Sequence, residues 1–359
     1  MDWAARKAEL DRLHRSAKVK RVGSLVARWM IDWVRPPRVA APAPMPAIEP
    51  GALAVTFGGH ASVLLRTAGL TIAFDPMIGR WAGGAHRAVE SALTPAHLSA
   101  VGLVLVSHAH HDHLHVPSLE AVPRTATIIG APGTAAQVSA MGFARVVELQ
   151  PGAELVVDGV RVVATALEHG RDALARTIGF IVKGDGPTAF LCGDAAYSPT
   201  FAQIGAEHAP DVAFLPIGGF LPWSFRERHL SPLDALYAFE DLGARLMIPI
   251  HHGAFALSYE KLGEPERWLR ALVEERGMTA HVRVLPVGGT EVFAAPAAPA
   301  ASVPVPAPVP VPAPAPAPLP VPAAVPSLVA SAPTAPLIAP AAAPASRAPA
   351  TTPPPAGPV

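Results

Sequence analysis

A chain of 359 residues with 28 basic and 28 acidic side chains carries no formal net charge, which argues against the uniformly basic surface of a nucleic-acid-binding protein. A single cysteine, Cys192, excludes an internal disulfide and fits a reducing compartment. The 50% apolar content is inflated by a Pro/Ala/Val-rich tail, and no proline-free apolar run reaches the ~18 residues of a membrane span.

Charge is unevenly placed. Residues 1–40 hold ten Lys and Arg (Arg6, Lys7, Arg12, Arg15, Lys18, Lys20, Arg21, Arg28, Arg35, Arg38) against Asp2, Glu9, Asp11 and Asp32, an excess of six that the rest of the chain balances. Residues 3–34 read as helical, because Val22, Leu25, Val26, Trp29 and Trp33 recur on one face at three- and four-residue spacing. Such a helix either packs on its own domain or rests, basic and amphipathic, on an anionic membrane surface. Pro36-Pro37 ends it, and a proline-rich linker runs to Pro50. The expected organisation is a basic segment with its linker over 1–49, a core domain over 50–293, and a disordered, polyproline-like tail over 294–359 with about half of the 43 prolines.

The core opens with strand-like runs at 53–57, 62–65 and 70–74, separated by hairpin distances, which predicts antiparallel or mixed sheet. Asp75-Pro76 closes the third run; its carboxylate either opens a turn or holds a ligand imidazole by its second ring nitrogen. Val104-Leu105-Val106 then reads as buried strand and runs directly into Ser107-His108-Ala109-His110-His111-Asp112-His113. A helix is expected over 134–141, followed by strands near 145–149, 154–157 and 160–166, the last delivering Glu168-His169-Gly170. A strand pair at 177–182 and 188–192 ends on Gly193-Asp194. Strand 212–216 leads to Gly218-Gly219, and 247–250 leads into His251-His252. Between them Ser231-Pro232-Leu233-Asp234 has the form of a helix start, with Gly243 as its stop. A second helix over 265–276 closes at Gly277, and strands near 282–285 and 291–293 finish the core.

A buried strand that ends in a cluster of ionisable side chains is costly unless something occupies their lone pairs. Imidazole with carboxylate suits zinc and similar divalent ions. Four apolar runs ending in His or Asp supply donors for two: His108, His110 and His169 on one ion, Asp112, His113 and His251 on the second, and Asp194 shared. Each ion keeps an open position, as a catalytic site does. Two ions about 3.5–4 Å apart can hold a bridging hydroxide near neutral pH, the expected nucleophile, so no Ser or Cys nucleophile is required. His229, just before the helix start at Ser231, is placed to lean over the site and donate a proton or a hydrogen bond. Asp112 and His229 are the catalytic candidates. His111 and His252 stand at the wrong spacing and are expected to face outward; His14, His86, His97, His115, His208 and His281 have no motif around them.

Over residues 53–293 the chain resembles the metallo-β-lactamase superfamily, on Gly59-His60-Ala61-Ser62, Asp75-Pro76, the His108 to His113 motif, His169, Gly193-Asp194 and His251-His252-Gly253. Leu215-Pro216-Ile217-Gly218 and His229-Leu230-Ser231-Pro232 are similar to the branch that contains N-acylphosphatidylethanolamine-hydrolysing phospholipase D, its bacterial relatives and ascorbate-6-phosphate lactonase-like proteins. The resemblance implies an α/β fold, a four-layer αββα sandwich with a dinuclear zinc site at one edge, and hydrolysis of esters, lactones or phosphodiesters. That branch usually has Trp where His252 stands and Trp-Ser where Gly170-Arg171 stand, on the substrate side.

The expected activity is zinc-dependent hydrolysis of a phosphodiester, phospholipase D-like, with a lactonase or carboxylester hydrolase on the same site as the alternative. Other divalent metals could serve in place of zinc. The expected partners are a small-molecule or lipid substrate and, through residues 1–35, a membrane surface, but no nucleic acid. The expected location is cytoplasmic, at the inner face of the membrane.

Overall fold

The computed structural model describes residues 35–170 and 176–294, together with Ala5, Arg6, Ala8, Met30 and Trp33. The rest of the helix expected over 3–34, and the tail beyond Ala294, lie outside the described residues. In chain order the strands are β1 (Ala52–Gly59), β2 (Ser62–Arg66), β3 (Thr71–Phe74), β4 (Trp81–Ala82), β5 (Ala85–His86), β6 (Leu103–Val106), β7 (Thr127–Gly130), β8 (Arg145–Glu148), β9 (Glu154–Val157), β10 (Val160–Ala166), β11 (Ile178–Lys183), β12 (Ala189–Leu191), β13 (Val212–Pro216), β14 (Leu246–Ile250) and β15 (Thr290–Ala294). They build a seven-stranded sheet in the order β15-β1-β2-β3-β6-β7-β8, a six-stranded sheet β14-β13-β12-β11-β10-β9, and a small β4–β5 hairpin.

Connection length decides strand direction in both sheets. The segment β15-β1-β2-β3 is antiparallel, and β3-β6-β7-β8 is parallel. In the second sheet β9 to β12 are antiparallel, while β12-β13-β14 are parallel. Parallel neighbours need a crossover, and helices occupy those connections. They are α1 (Pro95–Leu98), α2 (Val116–Leu119), α3 (Thr134–Val138), α4 (Thr200–His208) and α5 (Pro232–Leu242); α6 (Glu264–Glu275) follows β14.

Side chains on β6 show how the layers arise. Leu103 and Leu105 point into the space between the sheets, where they join Leu53, Val55 and Phe57 from β1 and Val162, Phe180, Leu191 and Phe214 from the second sheet. Val104 and Val106 point the other way, into a layer with Leu98, Leu119 and Val138 of α1, α2 and α3. Both faces are fully buried, which is why the run is apolar without alternation. On the far side Phe190, Ala213 and Leu215 pack beneath Phe201 of α4, Leu236 and Phe239 of α5, and Leu269 of α6. Helices outside two face-to-face sheets make the four-layer αββα sandwich that the resemblance implied.

Local departures have local causes. The helix expected over 134–141 ends at Val138, and a tighter 3-10 turn, Ser139–Met141, carries the chain to Gly142 at φ 74°. The strand expected near 282–285 reduces to one parallel bridge between Met247 and Val282. Pro286, without an N–H, follows at once. Helix α4 carries no capping side chain, and Gly205 lowers its propensity. A Cβ there would stand 2.5 Å from the Leu242 carbonyl oxygen, so the glycine is the contact by which α4 crosses α5. The α5 start is as expected: Ser231 Oγ accepts from Asp234 N, and Asp234 accepts from Ser231 N at 2.9 Å. Among the described residues no helix is long and apolar enough to cross a membrane.

The central position of β6 makes a stability prediction. Leu105→Ala should lower the free energy of unfolding by about 2–5 kcal/mol in urea titration. Val156→Ala, on edge strand β9 at a position 52% exposed, should change it by no more than about 0.5 kcal/mol.

Candidate metal centre

Several strands end at one rim of the sandwich. β1 leads into His60, β3 into Asp75, β6 into Ser107-His108, β12 into Cys192-Gly193-Asp194 and β14 into His251, while β10 ends three residues before His169. Five non-glycine residues among those described have positive φ, and three of them are His60 (60°), Asp75 (40°) and His251 (58°). Left-handed backbone costs a residue with a Cβ about 1 kcal/mol or more, so tertiary contacts must hold these turns. One such contact is direct: His251 N donates to the His60 carbonyl at 2.7 Å, joining the rims of the two sheets.

The rim gathers two four-residue groups of donors, besides the overlapping trio Asp194, His229 and His251, and within each group the ligand atoms all lie within 4.8 Å of one another. One is His108, His110, His169 and Asp194; the other is His60, Asp112, His113 and His251. Asp194 links them, since its Oδ2 lies 3.9 Å from His108 Nε2 and 3.3 Å from His113 Nε2, and its Oδ1 lies 3.2 Å from His251 Nε2. Asp112 Oδ2 stands 3.5 Å from both His113 Nε2 and His251 Nε2. Donors around an ion with bonds of about 2.0–2.2 Å are spaced by roughly 3.0–3.5 Å, so the residues present fit a divalent cation in each group. His113 Nε2, His169 Nε2, His251 Nε2 and Asp194 Oδ1 are buried with no hydrogen-bond partner, which is the condition a bound cation would relieve.

A single carboxylate sets the tautomer of one imidazole in each group, His113 directly and His108 through Ser107. Asp75 is fully buried and accepts from Ser107 N at 2.8 Å and from Ser107 Oγ at 2.6 Å. Its Oδ2 also accepts from His113 Nδ1 at 2.7 Å, and His108 Nδ1 lies 2.9 Å from the same serine hydroxyl. With the hydroxyl hydrogen directed at Asp75, Ser107 Oγ accepts from His108. The N–H of both rings is thereby placed on Nδ1, and each Nε2 lone pair faces the donor group. The Arg228 carbonyl does the same for His169, accepting from its Nδ1 at 2.5 Å.

Protonation follows burial and charge together. Burial pushes His60 down to about 3, helped by the neighbouring His251, and also lowers His108 and His169. Burial likewise opposes charge on Asp112 and Asp194, but the surrounding imidazoles override it and hold both carboxyls well below their ordinary range. His113 and His251 rise against burial because Asp194 and Asp112 face them. The anionic carboxylates and the neutral rings of His60, His108 and His169 are in the states that metal ligands require, and a bound cation would take the place of the protons that Asp194 and Asp112 favour on His113 and His251.

His229 stands beside the shared carboxylate, its Nδ1 3.5 Å from Asp194 Oδ2 and otherwise unpartnered. Burial pushes it down to about 3, which leaves a neutral ring able to donate a hydrogen bond. The loop that carries it is braced. Arg226 makes a two-pronged pair with Asp234, Nε to Oδ2 at 2.8 Å and Nη2 to Oδ1 at 2.6 Å, and Asp234 is itself the capping carboxylate of α5. Gly219, at φ 85°, leaves room for the ring, because a Cβ would come to 3.0 Å from His229 Nδ1.

The two groups differ in access. A cleft of about 1010 Å³ opens at His110 and His169, and its walls include Gln150, Glu168, Arg176, Thr177, Glu227 and Arg228. Beside His60 and His251 the free space is only about 20 Å³, room for one water molecule.

The profile of the Beta-lactamase superfamily domain matches residues 71–252, half of the chain. The chain belongs to the metallo-β-lactamase superfamily. It is similar to an uncharacterised protein of Mycobacterium tuberculosis, 32% identical over 282 residues that cover 70% of this chain and 75% of that one. A UPF0173 metal-dependent hydrolase of Methanopyrus kandleri is 28% identical over 243 residues, 65% of this chain and 97% of its own. The solved structure of Igni18, a metallo hydrolase of Ignicoccus hospitalis, shares the fold with a TM-score of 0.53 at 24% identity, covering 67% of this chain and 98% of that one. The protein is accordingly a metal-dependent hydrolase.

In this hydrolase the structure brings together all seven residues expected as ligands, His108, His110, Asp112, His113, His169, Asp194 and His251, in the grouping expected from the sequence. It adds His60, which sequence reasoning left in a hairpin turn. His60 Nε2 lies 3.0 Å from Asp112 Oδ2, and its ring is 4.3 Å from that of His251. The signal was present in Gly59-His60-Ala61-Ser62, but the partner is 52 residues away. His111 is exposed, as expected. His252 is not: it is 6% exposed and stacks on Phe57 at 5.3 Å, because its backbone bridges to His60 and draws it between the sheets.

These supports make a prediction about metal affinity. Asp75→Ala should weaken binding of a divalent metal about 10–100-fold in a competition titration with a chromophoric chelator. His60→Ala should do the same, while His60→Gln, which keeps a donor for Asp112, should recover most of the loss. Wild-type affinity in Asp75→Ala would contradict the role given to that carboxylate.

Proposed function

We propose that the hydrolase uses two zinc ions to cleave a phosphodiester, as in the phospholipase D-like branch of the superfamily. The observation that carries this reading is the pair of donor groups sharing Asp194 at the foot of a cleft whose wall presents Arg176 and Arg228. His108, His110 and His169 would hold one ion, Asp112, His113 and His251 the other, and Asp194 would belong to both. When bound, the ions supply Lewis acidity for the activation of water and of the ester.

The chain supplies the remaining functions. Arg176 and Arg228 are exposed on the cleft wall, where guanidinium groups can pair with the non-bridging oxygens of a phosphodiester. Glu168 and Glu227 share that wall and suit a cationic or hydrogen-bond-donating substituent on the same molecule. The neutral ring of His229 would donate a hydrogen bond to an oxygen on which charge builds. Asp112 has the catalytic task of keeping its negative charge beside His113 and His251. A lactone or carboxylester gives the two arginines no permanent anion to bind, so the cleft favours the phosphodiester.

With zinc-loaded protein, kcat/KM for bis-p-nitrophenyl phosphate should exceed that for homoserine lactone. Both activities should vanish after chelation and in His108→Ala. His229→Ala should lower kcat about 10²–10³-fold with little change in KM, and Arg176→Ala with Arg228→Ala should mainly raise KM. Faster lactone than phosphodiester turnover would reverse the substrate assignment. Metal analysis giving one equivalent per chain would refute the two-ion arrangement.

A further inference from the structure

One edge near the second donor group exposes aromatic rings to solvent. Trp33 is 56% exposed and Trp81 46%. The two rings meet edge to face at 5.7 Å, and Trp33 Nε1 donates to the Gly84 carbonyl at 3.2 Å, which seats residue 33 on the β4–β5 hairpin. Trp81 stands over the buried His86 at 4.7 Å, so the hairpin presents its indole from a fixed base. Val39, at 82%, is exposed in the adjoining segment, where Arg38 N bonds the Ala88 carbonyl. Exposed apolar side chains that cluster on a rigid edge mark a surface that something covers.

The charge nearby says what covers it. Arg35 and Arg38 are exposed in the stretch that follows Trp33, and Arg80, exposed next to Trp81 in the chain, lies 3.5 Å from Glu90. Arg6, among the few described residues that precede Trp33, is also held on the domain. The Arg6 guanidinium bonds Asp241 at 2.5 Å and Glu240 at 2.7 Å and lies 4.9 Å over the Tyr237 ring of α5. Between these two fastenings the sequence holds seven lysines and arginines against three carboxylates.

We propose that Trp33 and Trp81, with Arg35, Arg38 and Arg80 near them in the chain, form the edge by which this enzyme docks on an anionic lipid surface. Indole is favoured where one side is apolar and the other wet, as at the level of lipid headgroups. Each Lys or Arg held near an anionic leaflet strengthens binding by roughly fivefold. The edge adjoins the metal centre: Arg87 lies 4.5 Å over Phe255, Phe255 meets the His60 ring at 5.3 Å, and His60 bonds Asp112. A docked molecule would therefore turn the flank of its second donor group, and not the cleft at His110 and His169, toward the bilayer.

Co-sedimentation of the full metal-loaded chain with phosphatidylcholine vesicles, with and without phosphatidylserine, tests this. Retention is expected only with phosphatidylserine and should fall as salt is raised, since the attraction is screened over about 10 Å at 0.1 M. Trp33→Ala with Trp81→Ala should weaken it at least about tenfold. Arg35→Glu with Arg80→Glu, at exposed positions that leave the core untouched, should do likewise with metal content unchanged. No retention on either vesicle, equal retention on both, or full retention by the tryptophan variant would overturn the proposal. So would a concentration-dependent dimer that Trp81→Ala abolishes, because the edge would then belong to a second copy. Retention is read without turnover, so this result stands apart from the phosphodiesterase assay.

Discussion

Two carboxylates and a ring of imidazoles cannot stay buried at one sheet rim unless their lone pairs meet positive charge. Asp112 and Asp194 keep their negative charge in spite of burial, and His113 Nε2, His169 Nε2 and His251 Nε2 beside them have no hydrogen-bond partner among the described residues. Left to itself such a cluster would take up protons or water and loosen. The seat prepared for a cation is therefore the constraint that the surrounding fold has to satisfy. Asp75 meets it first, since one buried carboxylate directs the N–H of both His108 and His113 away from the centre and their lone pairs toward it.

The sandwich supplies such a seat because strands from both sheets end on the same side. A parallel strand such as β6 is buried on both faces and can change from Val106 to His108 within two residues, placing polar groups at the rim while its own core stays dry. The sharp turns that follow are where backbone strain collects: His60, Asp75 and His251 all take left-handed conformations. Their support is mutual, because the bond between the His60 carbonyl and His251 N ties a turn of one sheet to a turn of the other. The same contact brings an imidazole against Asp112 and pulls His252 inward to stack on Phe57.

That contact also explains what the sequence could and could not reveal. The run from Val104 to His113 carried its own message, since an apolar strand followed by His and Asp at close spacing is a local pattern. His169, Asp194 and His251 were legible in the same way, each just past an apolar run. The capping box at Ser231 and the stop at Gly243 were equally local. His60 was legible only as part of the run Gly59-His60-Ala61-Ser62, because nothing in that local pattern shows that its ring meets Asp112 across 52 positions. His252 failed for the complementary reason: spacing placed it beside a ligand, but cross-sheet pairing decided which way it faces. Helix α4 was hidden by Gly205, a poor helix former kept where two helices touch.

The inequality between the two donor groups sets the direction of approach. The group with His110 and His169 opens to a cleft of about 1010 Å³, whereas the group with His60 and His251 has room for little more than one water molecule. The cleft therefore gives a substrate a way in over the first group, where the loop of His229 is braced by Arg226 and Asp234. On the side of the second group Phe255 packs against the His60 ring, with Ala82 and Ala85 of the hairpin behind it. On the outer side of that hairpin Trp81 and the Trp33 seated on it are exposed. Chemistry and surface contact can then be served by opposite flanks of a single cluster, each built from strand ends that the sandwich already brings together.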